Sequence, residues 1–254
     1  MILTIENIFV ILLALISANS TELKEDFIMG LDMYLYRMPR YKNATASDVN
    51  TIENYIDWLK AKKEGSEYAN CTLKEWCGVD ESELPSKDVI EYYKQFYIHC
   101  YSAWDTDHKY GYDRIMEQVG YWRKANQIHA FFIENVQDGE DDCKYHHECT
   151  KEILEDLLDR CYKVLTGSIM MLGQVKNGQK YVDGKWVDCM EPGKVIINPE
   201  IAEELLPSTD GFFFGSTSYD EYYLQDIKDT IDIIENVLKT TDFKTQMLFY
   251  VSSW

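Results

Sequence analysis

Apolar and polar positions alternate in some segments of the chain and repeat with a helical period in others. Residues 31–36 alternate and predict a first strand, and residues 247–251 are typical of a last strand. Apolar positions spaced three and four residues apart predict a set of helices. These helices cover residues 48–63, 86–97 with Ser86 as N-cap, 112–136, 150–165 with Thr150 as N-cap, and a last long helix opened by a capping box at Ser218 and Glu221.

Turn dipeptides mark a β-hairpin in the second half of the chain. Asn177-Gly178 and Asp183-Gly184 are turn signals between short strand-like runs, so we predict an inserted hairpin near residues 168–198. Residues 211–215 (GFFFG) predict one further short aromatic strand. These elements predict a single α+β domain over residues 29–254, with several helices packed on a small, mostly antiparallel sheet.

The first residues of the sequence require a separate interpretation. Residues 8–16 are apolar but too few to span a membrane, and as a signal peptide they would follow Glu6 without any Lys or Arg. Residues 24–26 can be encoded by a strong bacterial ribosome-binding sequence, and Met29 follows at a normal spacing. We therefore predict that residues 1–28 are translated upstream DNA, with a signal peptide as the alternative.

The composition and the net charge indicate the cellular compartment and the class of binding partner. A start at Met29 implies a cytoplasmic protein, so the seven cysteines are expected to be thiols. The chain carries 44 acidic and 25 basic residues, a net charge of −19, which disfavours direct contact with nucleic acids and anionic membranes. Such a surface suits a basic protein partner, although it can also serve only for solubility.

The predicted helix over residues 112–136 carries the first candidate site. His129 lies inside its apolar arc and Asn126 at the edge, Arg123 flanks the arc, and Gln127 is expected to point away from it. A titratable imidazole placed in an apolar surface can be tuned for proton transfer or ligand contact. The alternative is a core histidine that is satisfied by a hydrogen bond.

The segment that follows contains cysteines and histidines close together. Cys143, His146, His147 and Cys149 are weak candidates for zinc, because their spacing is not that of a standard finger. Cys143 could also act as a nucleophile with His129 as its base, although neighbouring acidic residues disfavour a thiolate. We predict no bound metal and no cofactor.

The residues before the last helix suggest a binding loop. Free N–H groups and hydroxyls of residues 215–218 precede a helix, an arrangement that suits an anion or phosphate. The loop contains no Lys, so it is not a Walker loop. An ordinary strand-to-helix turn is the alternative interpretation.

Several motifs in order resemble a family of small bacterial and phage proteins that begin MGLDMYL. Some phage members carry the label phosphoglycerate kinase, but this chain is short for that two-domain enzyme and lacks a nucleotide-binding glycine pattern. The family has no established activity, and its opening motif supports Met29 as the start. The motifs span residues 29–35 (MGLDMYL), 119–129 (VGYWRKANQIH), 141–143 (DDC), 206–217 (LPSTDGFFFGST), 219–223 (YDEYY) and 252–254 (SSW).

The resemblance implies one shared site built from the matching polar positions, with aromatic residues around it. Arg, Asn, His and aromatic side chains are typical of a pocket for a planar anion such as a nucleotide. Together with the side-chain chemistry, the resemblance makes His129, Arg123 and Cys143 the catalytic candidates. The ligand-binding candidates are Trp122, Asn126, Asp142, Phe214 and Tyr219, with Ser216 and Thr217 added from the loop before the last helix.

Three functional hypotheses follow. The first is a protein that binds a small, nucleotide-like ligand and acts in phage–host conflict or bacterial physiology. The second is an acidic inhibitor of a basic host protein. The third is a His129-dependent hydrolase or transferase in which Arg123 holds an anion.

Overall fold

The computed structural model describes residues 30–64, 70–95, 116–142, 147–211 and 214–254. The predictions made for residues 1–28, Cys143 and His146 lie outside these ranges. Within them, no helix is long and apolar enough to cross a membrane. The elements in chain order are β1 (Asp32–Pro39), α1 (Ala46–Glu64), α2 (Leu73–Cys77), a 3₁₀ turn (Glu81–Glu83), α3 (Lys87–Lys94), β2 (Glu117–Arg123), α4 (Asn126–Val136), β3 (His147–Glu148), α5 (Lys151–Gly167), β4 (Met170–Val182), β5 (Lys185–Ile196), α6 (Glu200–Leu205), α7 (Glu221–Thr240) and β6 (Gln246–Ser253).

The central sheet has four antiparallel strands in the order β2-β1-β6-β3. Alternation along β1 sends Met33 and Leu35 into a core formed with α4, α5 and α7, whereas Met38 packs against α1 and α3. In β6, Tyr250 joins the first core and Phe249 joins the second. The predicted α+β class is confirmed, and both faces of the sheet are covered by helices.

The prediction of one helix over residues 112–136 is wrong for residues 117–123, while residues 112–115 lie outside the described ranges. Residues 117–123 form β2, whose Trp122 pairs with Met33 of β1, and the chain turns at Lys124 before α4 begins. Lys124 has a φ of 59°, which ends the strand. Gly120 allows β2 to pack closely against α7, since a Cβ at this position would lie 3.0 Å from Ile233. Pairing with β1 therefore overrides the helical spacing.

The predicted hairpin is present, but only one of its two turn signals forms the turn. Asp183 and Gly184 both have positive φ angles and connect β4 to β5. Asn177-Gly178 was wrongly predicted as a turn. The strand register shifts between Lys176 and Gln179, and Gly178 at a φ of 98° lies in the resulting bulge. The two strands consequently form one long ribbon.

Two predictions around the last helix are corrected. The N-cap of α7 is Asp220 rather than Ser218, because its carboxylate accepts hydrogen bonds from the backbone N–H groups of Tyr222 and Tyr223 at 2.9 and 3.2 Å. The aromatic segment does not continue as a strand at Phe214, where a backbone bond to Gly211 makes a turn instead. Residues 212 and 213 lie outside the described ranges.

The hairpin is attached to the first turn of α7. Ile196 N–H donates to the carbonyl of Tyr219, and Lys194 N–H donates to the Glu221 carboxylate at 3.1 Å. Tyr222 adds a hydrogen bond from its hydroxyl to the Glu191 carboxylate at 3.0 Å. This attachment holds the hairpin beside the start of α7, so that Lys176 and Trp186 of the hairpin face the same space as Arg123 at the end of β2.

Candidate functional site

The residue that the sequence favoured most, His129, is sealed in the core. Its exposed fraction is 1%, its Nδ1 shares a hydrogen bond of 2.7 Å with the Tyr250 hydroxyl, and the ring meets the edge of Phe214. Its Nε2 lies 3.3 Å from an Asp141 carboxylate oxygen, an ion-pair distance, but the orientation does not make a hydrogen bond. Asp141 also accepts from the Trp254 indole at 3.1 Å. These five residues are the His129 cluster.

Burial and charge act in opposite directions on His129. Removal from water lowers the pKa of the imidazole, while the Asp141 carboxylate raises it, and the net pKa lies below its usual value. The effect of desolvation on the pKa is the larger one, because Nε2 has no hydrogen bond within the described residues. The ring is therefore neutral at neutral pH, and it has no surface on which a substrate could be placed.

Asp142 and the described part of the Cys/His segment lie near the end of β6. The Asp142 carboxylate is 2.9 Å from Nε2 of His147, and its carbonyl accepts from Gln137 and Ser252. Cys149 is fully buried, and burial raises the pKa of its thiol. Across the described ranges, no group of three or more His, Cys, Asp or Glu side chains is placed to hold a metal ion.

An open groove of about 950 Å³ lies between the hairpin and the first turn of α7. Among the predicted site residues, Arg123, Phe214 and Ser216 line it. His129, Asp142, Trp122, Asn126, Thr217 and Tyr219 do not. The full lining consists of Arg123, Lys124, Gln127, Lys176, Asn177, Gly178, Gln179, Trp186, Asp210, Gly211, Phe214, Gly215, Ser216, Ser218, Asp220, Tyr222, Tyr223 and Asp226.

Asn126 holds the predicted binding loop in place. Its Nδ2 donates to the carbonyls of Phe214 and Ser216 at 3.2 and 2.9 Å, and its Oδ1 accepts from Thr209 N–H at 2.9 Å. Gly215, at a φ of 97°, lies so close to Lys124 that a Cβ would come within 3.1 Å of the Lys124 carbonyl oxygen. Asn126 therefore positions the loop rather than contacting a ligand.

Two more predicted ligand-binding residues also have internal partners. The Trp122 indole donates to the Thr230 hydroxyl at 3.0 Å and is 3% exposed. The Tyr219 hydroxyl accepts from Ser208 N–H at 3.1 Å. Both side chains help to fix the elements around the groove.

The groove carries cationic and aromatic side chains along its sides. Arg123 and Lys124 are exposed and have no hydrogen-bonded or ion-paired carboxylate among the described residues, whereas Lys176 pairs with Asp188 at 2.9 Å. Two of the rings that line the groove, Trp186 and Tyr222, are 67% and 48% exposed. This part of the groove can bind an anion and stack against a flat group.

A second part of the groove is rich in hydrogen-bond acceptors. Gln127, which was wrongly expected on the solvent side of its helix, is 2% exposed and donates its Nε2 to Asp226 at 3.1 Å. Burial raises the pKa of Asp226 to about 6. Burial also raises the pKa of Asp220, whose Oδ2 is enclosed without a hydrogen-bond partner. Helical spacing could have indicated Asp226, since it follows the buried Tyr223 by three residues and precedes the buried Thr230 by four.

Comparisons with protein families, curated proteins and solved structures found no match.

Proposed function

We propose that the protein binds a small planar anion of the nucleotide type in the groove between the hairpin and α7. The observation that carries this proposal is the placement of Arg123 and Lys124 in the same groove as the exposed rings of Trp186 and Tyr222. Neither cation has a carboxylate partner among the described residues. A phosphate would supply the missing partner for the cations. A base would cover the rings.

The size and the construction of the groove fit such a ligand. Small-molecule sites typically enclose about 300–1,000 Å³ and combine apolar walls with a few fixed polar groups. The groove is near the upper end of that range at about 950 Å³. An Arg side chain can hold a phosphate with two parallel hydrogen bonds, and Lys adds a point charge beside it.

A direct test uses the purified protein and a panel of nucleoside mono- and triphosphates. We expect a bound small molecule in native mass spectrometry or a raised melting temperature with at least one nucleotide, because a ligand that binds only the folded state stabilises it. The variant with Arg123→Gln and Lys124→Gln should lose this shift.

The matched control removes two cations that lie outside the groove. Lys228 and Lys239 are exposed on α7, so the variant with Lys228→Gln and Lys239→Gln changes the net charge equally. The control should keep the shift. Equal losses in both variants, or no shift with any nucleotide and no bound molecule, would contradict the proposal.

The other two hypotheses have less support. An acidic inhibitor needs a face of carboxylates without cationic neighbours, yet on α5 three exposed carboxylates are paired within the helix. An enzyme that depends on His129 needs an accessible imidazole, and this one is 1% exposed. The pairs on α5 are Lys151–Glu155, Arg160–Asp156 and Lys163–Asp159.

A further inference from the structure

The groove contains acceptor oxygens that the protein does not satisfy. Asp226 Oδ2 accepts from Gln127, but Asp226 Oδ1 has no donor among the described residues. The same holds for the amide oxygen of Gln127 and for Oδ2 of Asp220, which is buried. Asp220 Oδ2 is enclosed, whereas Gln127 is 2% exposed and lines the open groove, so its oxygen is accessible only from the groove.

The orientation of Gln127 is set by its neighbour. Its Nε2 is used in the 3.1 Å hydrogen bond to Asp226, which leaves Oε1 as an acceptor. Asp226 Oδ1 is the second acceptor, and both residues line the groove. A ligand that meets these two oxygens must bring adjacent N–H donors.

We propose that the groove selects guanine nucleotides, with the N1–H of the base donating to Gln127 Oε1 and its 2-amino group donating to Asp226 Oδ1. This inference rests on the proposed function, in which Arg123 and Lys124 take the phosphate. Guanine presents the N1–H and the 2-amino group side by side on its Watson–Crick edge, which is the pattern that two adjacent acceptors require. The rings of Trp186 and Tyr222 are available to stack on its faces.

The acceptor pair also discriminates against the other purines. Adenine carries one amino group beside a ring nitrogen that is itself an acceptor, so it would set an acceptor against an acceptor. Hypoxanthine keeps the N1–H but lacks the 2-amino group. Sites built around buried polar groups reject analogues that leave those groups unpaired.

The ionisation of Asp226 agrees with this assignment. Its burial disfavours the charged form and raises the pKa to about 6, so the free protein holds a carboxylate that is poorly hydrated. A base that donates to this carboxylate replaces part of the missing hydration. Perturbed groups of this kind in a groove are typical of functional sites.

The test compares guanosine, inosine and adenosine monophosphates by isothermal titration calorimetry on the full chain near neutral pH. We expect guanosine monophosphate to bind about tenfold more tightly than inosine monophosphate, the effect of one hydrogen bond to a charged acceptor. Asp226→Asn should abolish this preference. Asp229→Asn, an exposed position on the same helix that accepts from Gln225, should keep it.

The outcomes separate this inference from the proposed function. A guanosine preference that is lost only in Asp226→Asn supports it. Equal binding of the three nucleotides, weakened by Arg123→Gln and Lys124→Gln, overturns the base assignment and leaves the anion site standing. Binding of none of them overturns both. The comparison of guanosine with inosine needs only the unmodified protein, so it does not depend on the folding of a variant.

Discussion

Gln127 and His129 stand two residues apart on α4, yet they belong to regions of opposite character. His129 is enclosed by Tyr250, Asp141 and Phe214, and its Nδ1 has a hydrogen-bonded partner within the protein. Gln127 is equally buried, but its amide oxygen has no donor among the described residues and it lines an open groove. Burial alone therefore does not distinguish a polar residue enclosed in the core from one that lines a groove.

The two regions differ in where their polar side chains find hydrogen-bond partners. In the His129 cluster the protein supplies a hydrogen-bond partner for Nδ1 and a carboxylate 3.3 Å from Nε2, so those interactions contribute to stability. In the groove the acceptors of Gln127 and Asp226 have no protein donor among the described residues, so water or a ligand must supply the donors. Substitutions in the first region should change the free energy of unfolding, and substitutions in the second should change binding.

The largest effect is expected from His129→Ala. It removes a buried ring, leaves a cavity beside Phe214 and deprives the Tyr250 hydroxyl of a partner, so we expect a loss of about 2–4 kcal/mol of unfolding free energy. Urea unfolding measures this. The matched control is His147→Ala, since that side chain is 24% exposed and should cost about 1 kcal/mol. If His129→Ala lost nucleotide binding at unchanged stability, His129 would serve binding rather than the fold, and the comparison would be wrong.

The next effect concerns Gly215, which joins the binding loop to the end of β2. Gly215→Ala places a Cβ at a φ of 97° and 3.1 Å from the Lys124 carbonyl, so it should cost about 2 kcal/mol and weaken nucleotide binding. Gly184→Ala is the matched control, because it has a similar φ of 82° with no atom within 4 Å. It should cost less in thermal unfolding and leave nucleotide binding unchanged.

Acid should destabilise the His129 region. The folded-state pKa of His129 is depressed below 6.5, so its contribution to stability is present above that pH and is lost as the pH falls through the folded value. The slope for one group is at most about 1.4 kcal/mol per pH unit. The unfolding free energy of the native protein should fall relative to that of His129→Leu across this window, because leucine cannot titrate and all other groups are shared. Parallel curves would contradict the assignment.

Asp226 should act in the opposite direction with the smallest effect. Its folded-state pKa of about 6 exceeds 3.8, so its contribution to stability is fully present below 3.8 and is lost as the pH rises through 6. The full shift is worth at most about 3 kcal/mol, and solvent screening of a partly exposed side chain reduces it. Asp226→Asn should therefore be about 1 kcal/mol more stable than the native protein above pH 6, and this difference should vanish in acid. Asp229→Asn should show no such gain in the same melting series. A destabilised Asp226→Asn at alkaline pH would show that the carboxylate serves the fold instead.

Local patterns predicted much of the fold. The alternation of Met33 and Leu35 and the apolar stripe through Ile227 and Ile234 each predicted an element that is present, because burial of one face dictates them directly. β2 was missed because Trp122 is buried by pairing with a distant strand rather than by helical neighbours. Spacing within a segment contains no information on such pairing.

The site could be predicted only in part. The candidates Arg123, Phe214 and Ser216 line one groove, whereas His129 is sealed away from it. Trp186 was missed because hairpin residues meet the body only in three dimensions. The groove draws on β2, α4, the hairpin and the start of α7, and no single segment contains enough of it to be recognised.

Inserted residues should disrupt the protein at the beginning of α4 and should be tolerated at the hairpin tip. Gln127 and His129 differ by about 200° around the helix axis, and one residue inserted before Gln127 would rotate both by about 100°. The imidazole would then leave its place beside Tyr250, and the amide would leave the groove. Residues added between Asp183 and Gly184 would extend into solvent, since nothing lies within 4 Å of a Cβ on Gly184. Fusion tags and inserted peptides therefore belong at the tip, where they leave the register of α4 unchanged.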